Sequence, residues 1–272
     1  MKSIAGRLLA TLFCLLVWSQ AQAQFDHAHA AWNALLKKHI VLLDGGKASQ
    51  VRYAGFAADR VALKTYLAAL SAVDETEYGL WSRAQQMAFL INAYNAFTVE
   101  KVLGRYPDLK SIRDFGTVFG NPWKDKFFRL LGAEASLDGL EHGRLRAKGV
   151  FDEPRVHFAV NCASIGCPML REEAYVASRL EAQLEEQARR FLSDRTRNRF
   201  DAAADKLVVS KIFDWYKEDW TSGFKGINSR EQYFGRYAGL LTDDPLQQGR
   251  ISAQQAMLAF AEYDWSLNDA GK

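Results

Sequence analysis

The sequence predicts an α+β fold: a helix-rich single domain with a buried central helix packed against a small β-sheet. Three observations carry this expectation. Residues 83–103 read as one long helix that is apolar on nearly every side. Most other patterned segments repeat their apolar residues every three to four positions, the spacing of a helix face. Only short runs, at 51–53, 155–161 and 207–209, have an extended character. With 49% hydrophobic and 25% charged residues in 272, the chain is globular in composition rather than disordered or collagenous.

The first 23 residues read as a secretory signal peptide. Lys2 and Arg7 form a basic start, an apolar run follows over 8–18, and Ala21-Gln22-Ala23 offers small residues for cleavage. The run is short for a permanent membrane anchor. Phe13 before Cys14 is too bulky for a lipoprotein cysteine. Cleavage after Ala23 removes Cys14 and two positive charges, which leaves Cys162 and Cys167 as the mature cysteines and reduces the net charge of +3 to about +1. So small a balance gives no argument for a nucleic-acid partner. The expected product is periplasmic or secreted. No break in composition and no repeat divides residues 24–272, so a single domain is expected there.

The elements follow in order. Trp32, Leu35, Leu36, His39 and Ile40 sit at helical spacing over 31–41. His27 and His29 precede them and read as an exposed tail. Asp59 is placed to cap a helix carrying Leu63, Tyr66, Leu67 and Leu70. Ser82 followed by Gln85 is a capping box that opens the central helix, which Tyr106-Pro107 ends. Asn121-Pro122-Trp123 marks a loop, and Ser136 caps a helix with Leu137, Leu140 and Leu145. Residues 155–161 alternate like a strand. Ser178 with Glu181 forms a second capping box before Leu184, Ala188 and Phe191. Residues 207–209 form a second strand. Ser229 with Gln232, and Ser252 onward, begin two late helices in a C-terminal extension over 221–272.

The chemistry concentrates in the stretch 155–168, which holds Arg155, His157, Asn161 and both mature cysteines. On a strand, His157 and Asn161 share a face, and Cys162 begins a loop shaped by Gly166 and Pro168. Such a loop exposes reactive groups on a rigid support. Asn92 and Asn95 lie three apart in the central helix; they brace a loop backbone or orient an imidazole, because a buried amide left unpaired costs on the order of 1–3 kcal/mol. Glu141 borders the buried face of its helix and is a candidate partner for His157.

These pieces together resemble the domain-of-unknown-function 547 family. The matching motifs are residues 88–96, Tyr106-Pro107 with Ser111-Ile112, Leu137-Asp138-Gly139-Leu140-Glu141, the stretch 154–159, Cys162 with Cys167-Pro168, and residues 210–216. Their order extends over about 32–220. The resemblance implies that Asn92, Asn95, Glu141, Arg155, His157, Cys162 and Cys167 belong to the family's pattern, and it implies no activity.

Three readings of the cysteines stand open. An oxidising compartment favours a local Cys162–Cys167 disulfide in a non-enzymatic binding or assembly protein. Alternatively, one thiolate is the nucleophile of a hydrolase or acyl transferase acting on an amide or ester, with His157 as base and Glu141 or Asn92 orienting it. The helix-rich architecture is loosely similar to the papain/transglutaminase-like one, although there the nucleophile starts the central helix, whereas here both cysteines follow His157. The third reading is zinc held by His142, His157 and the two cysteines, but their spacing matches no common short zinc signature. No metal and no cofactor are expected. Trp215 and Tyr216, within an aromatic and acidic cluster that includes Asp219 and Trp220, are candidates for a wall that binds a small-molecule or peptide ligand.

Overall fold

The helical periodicity at the start of the chain produces α1 (Ala30–His39), but Ile40 and Val41 leave it for a strand. That strand, β1 (Ile40–Leu43), pairs antiparallel with β2 (Ala48–Val51). The computed structural model describes residues 24–116 and 121–271, so the signal-peptide reading lies outside the described residues. The expected exposed tail is instead packed. Phe25 and His27 lie against Trp81, and the His29 ring is 2.7 Å from the Tyr66 hydroxyl. Burial pulls the His29 imidazole down to about 4.

Helices α2 (Tyr53–Ala58), α3 (Arg60–Ala72) and α4 (Glu75–Gly79) follow. Asp59 precedes α3 without capping it, because its carboxylate is taken by Lys38 and His39. The Ser82–Gln85 capping box forms as expected and opens α5 (Arg83–Leu103). Phe89, Leu90, Ile91, Ala93, Ala96 and Val102 are all 0% exposed, so α5 is held on every side rather than by one face. Its main neighbours are other helices: α2, α3 and α6 (Leu137–Leu140), with the turn Glu141–Leu145. The fold is α+β; its sheets are small and join the helical core by their inner faces, Phe128 of the second hairpin stacking on Phe97 of α5. Besides β1–β2 there is an antiparallel pair, β3 (Phe128–Leu130) and β4 (Ala133–Ala135).

Residues 155–161 do not form a strand. They fold into a short helix, α7 (Val156–Ala159), whose turn is closed by His157 N donating to Pro154 O and Val160 N to Val156 O. The reason is packing. Val156 belongs to one apolar cluster and Phe158 to a second one. A strand would point both the same way, whereas a helix turns them about 200° apart. The second capping box is also absent. Glu181 reaches out to Arg155, and α8 (Leu180–Leu192) begins after a 3-10 turn at Ala177–Arg179.

The rest of the chain builds the second cluster. Strands β5 (Arg199–Asp201) and β6 (Lys206–Val209) pair antiparallel, and α9 (Ile212–Trp215) follows. Helices α10 (Arg230–Arg236), α11 (Ala238–Leu241) and α12 (Pro245–Ser252) come next; Ser229 caps α10. Ser252 ends a helix where one was expected to begin. The chain then forms β7 (Met257–Phe260), parallel to β6.

Residues 261–271 run back across the molecule as a strap. Gly166 N donates to Asp264 O (2.8 Å), Ile165 N to Ser266 O (2.9 Å), Asn268 N to Ala163 O (3.2 Å) and Val51 N to Asn268 O (2.9 Å). The strap thereby ties the cysteine loop to the β1–β2 hairpin.

Candidate functional site

The site lies where the two apolar clusters meet. With Val156 in one cluster and Phe158 in the other, His157 is left at the seam, where it is 3% exposed. Its Nε2 is 2.7 Å from Asp219 Oδ2. Arg146 holds the same carboxylate through Nε (2.6 Å) and Nη2 (3.1 Å). Burial pushes the Asp219 carboxyl up, but the His157 and Arg146 hydrogen bonds outweigh it and hold it at about 2. An ionised Asp219 accepts the Nε2 proton. In the neutral imidazole this leaves Nδ1 as the basic nitrogen.

Asp219, not Glu141, is therefore the partner of His157. Glu141 is buried, and its carboxylate accepts the Tyr216 hydroxyl. Burial first, and that carboxylate second, push the Tyr216 phenol well above its usual value. The Tyr216 ring stacks on the imidazole at 4.0 Å between centroids.

The cysteine loop is assembled by amides. Asn95 donates to Ala159 O (2.9 Å) and accepts from Asn161 N (2.8 Å). Asn92 does the same for both backbone groups of Tyr175. Neither contacts His157; both hold backbone. Asn161 turns inward as well, donating to Pro168 O (2.8 Å) and accepting from Ala163 N (3.0 Å), so it closes the loop rather than facing a ligand. Arg155 is 0% exposed and bound to Glu153, Glu181 and Glu185, which commits it to joining α7 to α8.

Both cysteines are free, so the disulfide of the first reading is not formed in this structure. Their sulfurs are 2.9 Å apart in a thiol–thiol hydrogen bond. Cys162 Sγ also lies 3.2 Å from the Ser164 hydroxyl and 3.2 Å from the Tyr263 hydroxyl. The hydrogen bond with Cys167 lowers the Cys162 thiol; desolvation opposes this, and Ser164 and Tyr263 add to the lowering. Burial pushes Cys167 up, and the neighbouring Cys162 sulfur adds to that. These influences favour ionisation at Cys162, the more open of the two, over Cys167. Among the described residues no hydrogen bond joins His157 to either sulfur. They meet only through a shared cavity.

That cavity has a volume of about 230 Å³ and is lined by His157, Cys162 and Cys167, by Asp138, Glu141 and His142, and by a wall of aromatic side chains. Trp215 and Tyr216, expected at a ligand wall, are there. Trp123, Tyr263 and Trp265 join them. Sequence reasoning missed Asp219 as the histidine's partner and missed Tyr263 and Trp265 altogether. Asp219 was visible only as one acid in an aromatic cluster. The strap residues carry no pattern that would connect them to a loop about a hundred positions earlier. Among the described residues no group of three or more His, Cys, Asp or Glu side chains is disposed to hold a metal ion.

Residues 79–192 match the family model described as "Protein of unknown function, DUF547". The match spans α5, α7, the cysteine loop and α8, and it ends before Tyr216, Asp219 and the strap. The comparisons with curated proteins and with solved structures each returned no match.

Proposed function

We propose that this protein is a thiol-dependent hydrolase or acyl transferase, and that Cys162 is its nucleophile. One observation carries the proposal: three hydrogen-bonding groups, the Cys167 thiol and the Ser164 and Tyr263 hydroxyls, converge on Cys162 Sγ at a cavity that His157, oriented by Asp219, also lines. A thiolate held by donors is ready to attack an ester or amide carbonyl. The Cys162 thiol proton passes to His157 Nδ1, the carbon–sulfur bond forms, and the carbonyl's bond to the leaving group breaks as the leaving group takes that proton from the imidazolium. Water or an acceptor alcohol or amine then attacks the thioester and gives its proton to His157 Nδ1; the carbon–sulfur bond breaks, the acyl product leaves, and the thiolate takes the proton back from the imidazolium. Asp219 keeps the ring in the useful tautomer throughout. The pattern of residues 1–23 supports a place outside the cytoplasm for this chemistry, and the size of the cavity suits a small molecule or the end of a peptide.

The 2.9 Å separation of the sulfurs supports a second reading. A compartment oxidant that removes two electrons and two protons from the pair would lock the loop as a cystine. The protein would then act by binding or assembly alone.

The test is iodoacetamide labelling of natively isolated protein, followed across pH and mapped by peptide mass. The expected result is selective labelling of Cys162 with a midpoint below the ordinary thiol value of 9.0. Because the thiolate is the reactive form, labelling rises as pH climbs through that lowered pKa and then levels off. Cys162→Ala loses the label, and His157→Gln keeps the label but not turnover of an activated ester. Protein that arrives fully oxidised, or a Cys162 no more reactive than Cys167, overturns the enzyme reading.

A further inference from the structure

We propose that the cavity recognises an alkylammonium group on its ligand, seated between an aromatic wall and two carboxylates. The inference names the substrate class of the proposed site; it rests on the cavity being the ligand site, but not on thiol chemistry.

The wall is one continuous cluster of rings. Trp215 and Trp265 lie nearly parallel at 5.7 Å, Tyr263 is 4.5 Å from Trp265, and Trp123 meets Trp265 edge-on at 5.8 Å. Trp215 is nonetheless 45% exposed, an unusual state for so large an apolar ring inside such a cluster. A wall of this kind suits flat sugars, apolar groups and cations alike. The charge around it separates them.

Asp138 and Glu141 line the same cavity, and no Lys or Arg does. Glu141 is 6% exposed, and its hydrogen bond is to a neutral phenol rather than to a cation. Arg146, which lies over the Tyr216 ring, spends its hydrogen bonds on Asp219 and reaches Glu141 only through its field. A buried carboxylate without a cationic partner is costly, and a ligand that brings the missing positive charge relieves that cost. An anion would meet two like charges. A neutral ligand would gain the stacking but no attraction to Glu141, or to Asp138, which has only the His142 ring, 3.7 Å away, beside it. Arg113, from outside the cavity, already sets its guanidinium 5.3 Å from the Trp265 ring, so the indole accepts a cation on its surface. The ammonium would hold the ligand by the wall and leave its ester or amide end for Cys162.

The experiment uses the full mature chain as a Cys162→Ser variant, so that binding is read without turnover. Intrinsic tryptophan fluorescence is titrated with choline and, separately, with 3,3-dimethylbutan-1-ol, its neutral isostere. Choline is expected to give a saturable change, with a dissociation constant at least tenfold below that of the alcohol. Asp138→Asn, at a partly exposed position, is expected to weaken choline at least fivefold and to leave the alcohol nearly unchanged. Trp215→Ala is expected to weaken both. Equal affinity for choline and the alcohol overturns the inference, as does the absence of saturable choline binding. The two readings fail separately. Choline selectivity in a protein whose Cys162 is unreactive keeps the ammonium site and removes the acyl-transfer reading. A reactive Cys162 without choline selectivity does the reverse.

Discussion

Helix α5 and the C-terminal strap hold the same cysteine loop, from distant parts of the chain and by different means. α5 reaches it with a side chain: the Asn95 amide pairs with Ala159 O and Asn161 N inside a fully buried core. The strap reaches it with backbone: Asp264, Ser266 and Asn268 bond to Gly166, Ile165 and Ala163 along a segment that is largely half-buried or exposed. α5 lies within the family match and the strap lies outside it. The difference separates two jobs. The amide sets the loop's shape, with neutral groups that do not respond to pH. The strap brings Tyr263 to Cys162 and Trp265 to the cavity, which tunes and walls a site whose shape is already set.

The largest effect should come from removing the α5 grip. Asn95→Ala leaves Ala159 O and Asn161 N buried without partners, at roughly 1–3 kcal/mol for each group. The expected loss is about 3 kcal/mol in urea unfolding, the same across neutral and mildly acidic pH because no charge is involved. Asn95→Asp keeps the acceptor for Asn161 N and loses the donor to Ala159 O, so an intermediate loss is expected. A loss below about 1 kcal/mol for the alanine variant would mean that the strap, not the helix, shapes the loop.

That contrast also explains what was legible in the sequence. Two asparagines in a helix apolar on all sides are conspicuous, because such a helix has no solvent face to put them on. The capping box at Ser82 and the cap at Ser229 were legible for a similar reason, since their bonds are local. Residues 155–161 misled because alternation was read as one face against another. In fact, Val156 and Phe158 serve two different cores, which no local pattern announces. The strap was invisible because backbone hydrogen bonds do not depend on residue type. Asp219 was hidden by distance: it lies 62 positions from His157, in a stretch that offers several acids.

A smaller effect should come from pushing the strap off the loop. A Cβ on Gly166 would sit 2.9 Å from Asp264 N, 3.0 Å from Asp264 O and 3.0 Å from the Tyr263 ring. Two of those neighbours are backbone, so the strap must shift. Gly166→Ala is expected to cost about 2 kcal/mol, in the range of overpacked contacts. Hydrogen exchange should quicken over 261–271 and stay unchanged over α5. Equal quickening in both regions would merge the two grips into one cooperative unit and dissolve the distinction between them.

The smallest and sharpest test removes one oxygen. Tyr263→Phe keeps the ring in the aromatic wall and deletes the hydroxyl that lies 3.2 Å from Cys162 Sγ and 3.1 Å from Ser164 Oγ. A donor bonded to a charged acceptor contributes about 1.5–3 kcal/mol at most, and the sulfur keeps its hydrogen bonds with Cys167 and Ser164. The thiolate therefore loses only part of its support, and its labelling midpoint should rise by about one pH unit, equivalent to about 1.4 kcal/mol. The sign follows from the charge: removing a donor from the anionic form raises the pKa, so labelling at a fixed neutral pH slows. Global stability should change by less than about 1 kcal/mol, because the loop's shape does not depend on that hydroxyl. If the midpoint stays put, the strap supplies only walls, and the tuning of Cys162 resides in Cys167 and Ser164, inside the loop that α5 holds.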